Sequence, residues 1–243
     1  MISVIGLGFV GLTTALGFSE KGYKVFGYDH DIAKTKLLQT KCVPFFEPSL
    51  EEKLSNHNGK NFILANSLED SIKNSEIIFL CVGTPADANG CVDLKYLLTA
   101  IRDILKCLPK KRLATLVIKS TVPPSTLVNK VVPLLKEHEL SSGQNIGLAA
   151  NPEFLREGFA WEDFIDPDRI VIGSNDEHVH EILKDLYKPF QAPIVTVNLN
   201  TAEFIKYLSN TLLSNLISFS NDMSMIAHTI GNIDIIESFK TVH

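Results

Sequence analysis

The first eleven residues, MISVIGLGFVG, constrain the fold of this chain more than any other stretch. Residues 2–5 predict a short buried strand, and a glycine-rich turn follows it directly. Gly6, Gly8 and Gly11 have the G-x-G-x-x-G spacing, and the apolar run after them predicts a helix. In this motif the first glycine permits a tight turn, the second lets backbone approach a pyrophosphate, and the third lets helix and strand pack closely. The stretch therefore predicts the dinucleotide-binding unit of a Rossmann fold, with a glycine-rich turn of some other α/β protein as the alternative.

An acidic residue follows the second predicted strand, residues 25–28. Asp29 stands where a carboxylate binds the adenosine ribose hydroxyls of a dinucleotide. A 2′-phosphate would meet this negative charge, so the sequence favours NAD over NADP, although Lys34 nearby could weaken that preference.

The composition argues against several other classes of protein. The net charge of -5 offers no basic surface for nucleic acid, and no apolar run is long enough to span a bilayer. The amino terminus lacks the charged segment of a signal peptide. The cysteines form no C-x-x-C pair, which predicts reduced, mostly buried thiols and no metal site. We therefore expect a cytoplasmic protein that binds neither nucleic acid nor membrane.

Predicted strands and helices alternate from residue 1 to about 198, which indicates one doubly wound, mostly parallel sheet of α/β class. From Thr201 onward, apolar residues recur at steps of three and four and predict one long helix to about residue 229. The residues in this pattern are Phe204, Leu208, Leu212, Leu216, Phe219, Met223 and Ile226. We expect an NAD-binding Rossmann domain over residues 1–200 and the start of a helical domain over residues 201–243.

Hydroxyl side chains follow two of the predicted strands. Thr84 lies in a Gly-Thr-Pro turn after residues 77–82, and Thr121 follows the strand that ends near residue 119. The carboxyl ends of parallel strands form the edge at which ligands bind in such folds. Plain turns are the alternative interpretation.

Two pairs of polar residues have a spacing of four. Glu153 and Glu157 follow a predicted strand, and a helical turn there would put both on one face, suited to general-base work or to positioning water. A solvated surface pair is the alternative. Lys206 and Asn210 share one face of the long helix, where they could stabilise an oxyanion or simply be solvated.

Together these blocks resemble the UDP-glucose/GDP-mannose dehydrogenase family. Besides Asp29, the matching segments are residues 4–12, 82–85, 119–123, 151–158, 168–173 and 202–210. The resemblance implies an NAD-dependent oxidation of the C6 alcohol of a UDP- or GDP-sugar to a carboxylate, through an aldehyde and a cysteine thioester.

The resemblance also implies roles for individual residues. Thr121 and Glu157 would hold a catalytic water, and Glu153 would assist thioester hydrolysis. Lys206 and Asn210 would stabilise oxyanions. The residues expected to bind NAD are Gly6, Gly8, Phe9, Val10, Gly11, Asp29, Lys34, Thr84, Thr121 and Glu157.

Members of this family continue to a glycine-rich segment with the nucleophilic cysteine and then to a second Rossmann-like domain, whereas this sequence ends at His243. We therefore expect an amino-terminal fragment that binds NAD but does not complete the oxidation. One alternative is a β-hydroxyacid dehydrogenase-like enzyme, which needs no cysteine. Another is a non-catalytic NAD-binding or dimerisation module that uses the long helix as a partner surface, with Phe219, Met223 and Ile226 exposed in the monomer. For the dehydrogenase itself we expect a homodimer formed through the long helix, which opens a helical dimerisation domain.

Overall fold

Short apolar runs of the sequence form the strands of one sheet in the computed structural model, which describes residues 1–73, 75–108, 114–141, 143 and 145–242. The strands are β1 Ile2–Ile5, β2 Val25–Tyr28, β3 Phe62–Leu64, β4 Ile77–Leu80, β5 Thr115–Ile118, β6 Gly147–Ala150, β7 Ile170–Gly173 and β8 Ile194–Val197. Their order in the sheet is β3-β2-β1-β4-β5-β6-β7-β8. The chain winds outward from β1 in both directions, which confirms the predicted doubly wound sheet.

Helices connect these strands and cover the sheet. They are α1 Phe9–Glu20, α2 Ile32–Gln39, α3 Leu50–His57, α4 Leu68–Ile72, α5 Lys95–Cys107, α6 Val132–Glu137, α7 Ala160–Ile165, α8 Glu177–Tyr187, α9 Leu199–Ile230 and α10 Ile235–Val242. A π-helical turn, Leu127–Val131, leads into α6. The residues of β1, β4 and β5 are all buried, as expected for strands covered on both faces.

The strands from β3 to β6 run parallel, and their register brings their carboxyl ends to one edge of the sheet. Ile5 at the end of β1 pairs with Tyr28 and with Leu80. Leu80 pairs with Ile118, which in turn pairs with Ala150 at the end of β6. The pair β6–β7 is antiparallel, joined at Ala150 and Gly173, so the sheet is mostly parallel, as predicted. The segments that follow β1, β2, β4, β5 and β6 therefore emerge side by side.

An aromatic cluster fixes α1 against the sheet. The ring of Phe18 on α1 is fully buried. Its centroid lies 5.1 to 5.8 Å from those of Phe79, Phe164, Tyr187 and Phe190. Such pairs each contribute about 0.5–1.5 kcal/mol beyond the burial of their area. The position of α1 matters because its first turn belongs to the glycine motif.

The chain separates into two compact units, Met1–Phe204 and Ile205–His243. The predicted division after residue 200 stays a prediction. The second unit contains most of α9, a helix of 32 residues and so about 48 Å long, and α10. Gly231 has a φ of 78° at the end of α9, and the Asp234 carboxylate caps α10 by accepting the Glu237 N–H at 3.0 Å. No helix among the described residues is long and apolar enough to cross a membrane.

Candidate functional site

The three glycines after β1 have different structural reasons to be glycine. Gly6 has a φ of +88°, and a Cβ there would lie 2.9 Å from the carbonyl oxygen of Cys81. A Cβ at Gly11 would lie 1.7 Å from the carbonyl oxygen of Gly6. Gly8 has an ordinary φ of -76°, and a Cβ there would meet no heavy atom within 4 Å. The protein's own packing thus requires Gly6 and Gly11, whereas Gly8 leaves the amino end of α1 accessible to a ligand. This fits close approach of a pyrophosphate.

Asp29, at the end of β2, ties the glycine turn to the start of α2. Its buried carboxylate accepts the Leu7 N–H at 2.7 Å and the Asp31 N–H at 2.9 Å, and Lys34 Nζ lies 2.7 Å from it. Burial alone would raise the pKa of Asp29, but the bonds from Lys34 and the two backbone groups outweigh it and hold the pKa below its ordinary value. Lys34 is thus already paired with Asp29, which leaves it less able to bind the 2′-phosphate of NADP.

Replacing Asp29 with asparagine is expected to lower the free energy of unfolding by about 2 kcal/mol at neutral pH. Both oxygens of the Asp29 carboxylate accept hydrogen bonds, whereas an asparagine side chain has only one oxygen that can accept. The lowered pKa means that the carboxylate stabilises the fold above its ordinary value of 3.8 and loses that effect as the pH falls through the folded value. The difference between wild type and variant should therefore shrink below about pH 4. Urea unfolding at neutral and acidic pH measures it.

The matched control is Asp31→Asn, two residues along. Asp31 is the exposed cap of α2 and accepts the N–H groups of Ala33 and Lys34. Asparagine caps a helix about as well as aspartate, so this variant should keep wild-type stability. A difference for Asp29→Asn that is as large in acid as at neutral pH would contradict the assignment.

The ends of β4 and β5 are joined by their hydroxyl residues. Thr84 Oγ1 donates to the carbonyl oxygen of Thr121 at 2.7 Å, and Ser120 Oγ donates to that of Val82 at 2.6 Å. These bonds hold the two strand ends beside each other at the ligand edge. Both predicted threonines thus lie next to one another, as strand adjacency requires.

The acidic segment after β6, residues 151–158, is not helical, so the helical turn that would put Glu153 and Glu157 on one face does not form. Glu153 Oε2 accepts the N–H of Leu155 at 2.8 Å, a local bond that competes with helix formation. Gly158 has a φ of +84°, outside the helical region. Glu153 is half-buried, whereas Glu157 is exposed.

A buried polar network anchors the start of the acidic segment. Asn151 Oδ1 accepts from Lys119 Nζ at 3.1 Å and from Tyr187 Oη at 2.5 Å, while its Nδ2 donates to the carbonyl oxygen of Val171 at 2.8 Å. Asn151 therefore joins the ends of β5 and β6 to β7 and α8. The sequence patterns did not predict the buried bonds that Lys119 and Tyr187 make to Asn151; a lysine ending the apolar run of β5 was the available signal.

Lys206 and Asn210 lie in the second unit, within the continuous helix α9, so their spacing does place them on one face. Lys206 is 5% exposed, whereas Asn210 is exposed. Lysine is rarely this buried, which argues against the interpretation of Lys206 as a solvated surface residue.

The four cysteines are unpaired, but the expectation that they are mostly buried is wrong. Cys42 and Cys91 are exposed, and Cys81 and Cys107 are partly buried. Cys81 lies beneath the glycine turn, and burial raises the pKa of its thiol to about 12. Its sulfur is therefore protonated and a poor nucleophile at neutral pH. No cluster of three metal-ligating side chains occurs among the described residues.

The strand order and the ligand-accessible glycine turn are those of dehydrogenases with a Rossmann-type NAD-binding domain. Comparison with known proteins identifies the family within this class of dehydrogenases. The chain belongs to the UDP-glucose/GDP-mannose dehydrogenase family, whose NAD binding domain matches residues 1–191. NAD is the cofactor of this domain, as Asp29 predicts. The match favours membership of this family over the β-hydroxyacid dehydrogenase-like alternative.

Individual relatives match almost the whole chain. UDP-glucose 6-dehydrogenase YwqF of Bacillus subtilis is 40% identical over 233 residues, 95% of this chain and 52% of that protein. GDP-mannose dehydrogenase of Pseudomonas aeruginosa, solved as a ternary complex, is 34% identical, with a TM-score of 0.94 over 99% of this chain and 56% of its own. A UDP-glucose dehydrogenase of Pyrobaculum islandicum is 38% identical, with a TM-score of 0.92 and the same coverage. The chain spans about half the length of these relatives.

Proposed function

We propose that this chain supplies the NAD-binding and oxyanion-stabilising part of a nucleotide-sugar 6-dehydrogenase, which oxidises the C6 alcohol of a UDP- or GDP-sugar to a carboxylate. The observation that carries the proposal is the common edge formed by the glycine turn, Asp29, Thr84, Thr121 and Glu153 at five neighbouring strand ends. The named relatives act on UDP-glucose or GDP-mannose, which supports this substrate class. Sugar acids of this kind would serve polysaccharide biosynthesis.

Bound NAD would supply the acceptor for the hydride that leaves C6. The chain's own part begins with the turn from Gly6 to Gly11, where Gly8, Phe9 and Val10 would face the pyrophosphate at the amino end of α1. Asp29 would accept from the adenosine ribose hydroxyls, with Lys34 beside it. Thr84, Thr121 and Glu157 would line the remainder of the cofactor site.

The catalytic residues would have two tasks, which are to stabilise a negatively charged oxygen and to position a water molecule. Lys206 and Asn210 would stabilise the oxyanion that forms when the alcohol loses its proton, and a buried cation acts strongly because little water screens it. Thr121 and Glu157 would hold the water that attacks the thioester, and Glu153 would assist that attack as a base. The bond from Leu155 N–H to one Glu153 oxygen supports this role by limiting the orientation of the carboxylate.

The second unit would serve dimerisation, with residues 1–200 as the NAD-binding domain and residues 201–243 as the start of a helical domain. A row of large apolar residues along α9 supports a homodimer, because exposed apolar stripes of this kind mark interaction surfaces. The residues of this row are Leu212, Leu216, Phe219, Ile226 and Ile230, each between 48% and 68% exposed. Met223, predicted to be exposed with them, is half-buried. The unpaired cysteine thiols of the chain fit a cytoplasmic location.

A turnover assay tests the assignment. The 243-residue chain, mixed with UDP-glucose and NAD, is expected to bind NAD but to form no sugar carboxylate, because the thioester step needs a nucleophilic cysteine. Burial raises the pKa of the Cys81 thiol, and none of the four cysteines lies in a glycine-rich setting. A full-length UDP-glucose 6-dehydrogenase is the positive control. Sustained formation of the sugar carboxylate by the chain alone would contradict the expectation and require a nucleophile other than the family's cysteine.

A further inference from the structure

Glu47 is a buried carboxylate whose contacts lie far along the chain. It belongs to the loop between α2 and α3 and is 5% exposed. Its two oxygens accept the backbone N–H groups of Gly158 and Ala160, each at 2.8 Å, across 111 and 113 residues of sequence. Glu47 therefore fixes the end of the acidic segment and the start of α7 from a separate loop.

The same loop also contacts the cofactor turn. The ring of Phe45 packs edge-on against that of Phe9, with the centroids 6.1 Å apart. Phe9 is the first residue of α1 and directly follows Gly8. Two residues of one loop, Phe45 and Glu47, thus contact the glycine turn on one side and the acidic segment on the other.

Glu157 directly precedes Gly158, and the backbone groups on both sides of it are hydrogen-bonded. The N–H of Arg156 donates to Asp163 Oδ2 at 2.9 Å, and the N–H of Gly158 donates to Glu47. The Arg156 side chain pairs with the same Asp163 carboxylate. The exposed Glu157 side chain therefore projects from a backbone with two carboxylate anchors, one local and one supplied by the loop.

We propose that Glu47 is a positioning residue that couples NAD binding at the glycine turn to the placement of Glu157. The proposal rests on the proposed role of Glu157 in the cofactor and water site. Coupling between two sites is reciprocal: if the Glu47 anchor favours the NAD-bound arrangement, NAD must in turn strengthen the anchor. Loss of the anchor therefore changes NAD affinity, and NAD restores order near the anchor.

A natural fluorescent probe lies next to the bonds that Glu47 accepts. Trp161 is the single tryptophan of the sequence, is 8% exposed, and follows Ala160 directly. In Glu47→Gln, one acceptor oxygen becomes an NH2 group that faces a backbone N–H. We expect the Kd for NAD, measured by calorimetry, to rise about tenfold, equivalent to about 1.4 kcal/mol. Trp161 emission of the free variant should shift to longer wavelength, and saturating NAD should return it toward the wild-type position.

Two variants serve as controls for this experiment. Glu47→Asp keeps the charge with a shorter reach, so its Kd should lie between those of wild type and Glu47→Gln. Glu203→Gln is the matched structural control, because Glu203 is 3% exposed and accepts the N–H groups of Ser125 and Leu127 at 2.6 and 2.9 Å. It should lose comparable stability without shifting Trp161 emission.

A folded Glu47→Gln variant that binds NAD with the wild-type Kd would overturn the coupling and leave the proposed function standing. A wild-type chain that does not bind NAD would overturn both. Should Glu47→Gln fail to fold, Glu47→Asp and Phe45→Leu decide the question. A raised NAD Kd in Glu47→Asp supports the coupling, and a wild-type Kd in Glu47→Asp overturns it, whatever the value in Phe45→Leu.

Discussion

Replacing Gly8 with alanine is expected to weaken NAD binding by about a hundredfold, equivalent to about 2.7 kcal/mol, while the fold remains intact. The added methyl group meets no protein atom within 4 Å, and the backbone at Gly8 is one that alanine adopts. The methyl group would instead occupy the space through which a pyrophosphate approaches the amino end of α1. Affinity should fall because the phosphate can no longer reach those N–H groups.

Two measurements on this variant separate binding from folding. Calorimetric titration with NAD should show the loss of affinity, and urea unfolding should show a free energy of unfolding within about 1 kcal/mol of wild type, since alanine is a poorer helix cap than glycine. Wild-type NAD affinity in Gly8→Ala would contradict the placement of the cofactor at this turn.

Replacing Gly11 with alanine is expected to have the opposite profile, with a loss of about 4 kcal/mol or more in the free energy of unfolding. A Cβ at Gly11 would lie 1.7 Å from the carbonyl oxygen of Gly6 and 3.1 Å from Cys81 Cβ. Backbone cannot yield as a flexible side chain does, so α1 must shift away from β1. A domain has about 5–15 kcal/mol of stability in total, so a loss of this size should strongly lower the Tm.

Circular dichroism and thermal unfolding check the Gly11 variant, with Gly8→Ala as the control for adding one methyl group to the same turn. If Gly11→Ala has wild-type stability, the close packing of α1 on the glycine turn is wrong. Together the two variants divide the motif into a glycine that the fold requires and a glycine that the cofactor requires.

Local patterns predicted the elements that form the site. The strands expected at residues 2–5 and 25–28 are β1 and β2, because a buried parallel strand reads as an uninterrupted apolar or small run. The long helix, predicted to run to about residue 229, ends at Ile230, because the periodicity of its apolar residues identifies one continuous helix. The common edge of the strand ends follows from strand adjacency in a parallel sheet.

Contacts between distant segments could not be predicted in the same way. The bonds from Glu47 to Gly158 and from Tyr187 to Asn151 leave no periodic signal in sequence. Spacing alone did not decide whether a helical turn forms at Glu153, and none forms, since the Glu153 carboxylate accepts the nearby N–H of Leu155 instead. The cysteine prediction was wrong for Cys42 and Cys91 because spacing excludes a metal site but does not determine exposure.

Calorimetric titration of NAD into the wild-type chain is the most direct test of the central claim, which is that the glycine turn and Asp29 form the binding site for an adenine dinucleotide. Circular dichroism on the same sample establishes that the protein is folded. One saturable site is predicted, with NADP binding more weakly than NAD. A folded chain that gives no saturable heat with NAD would contradict the claim.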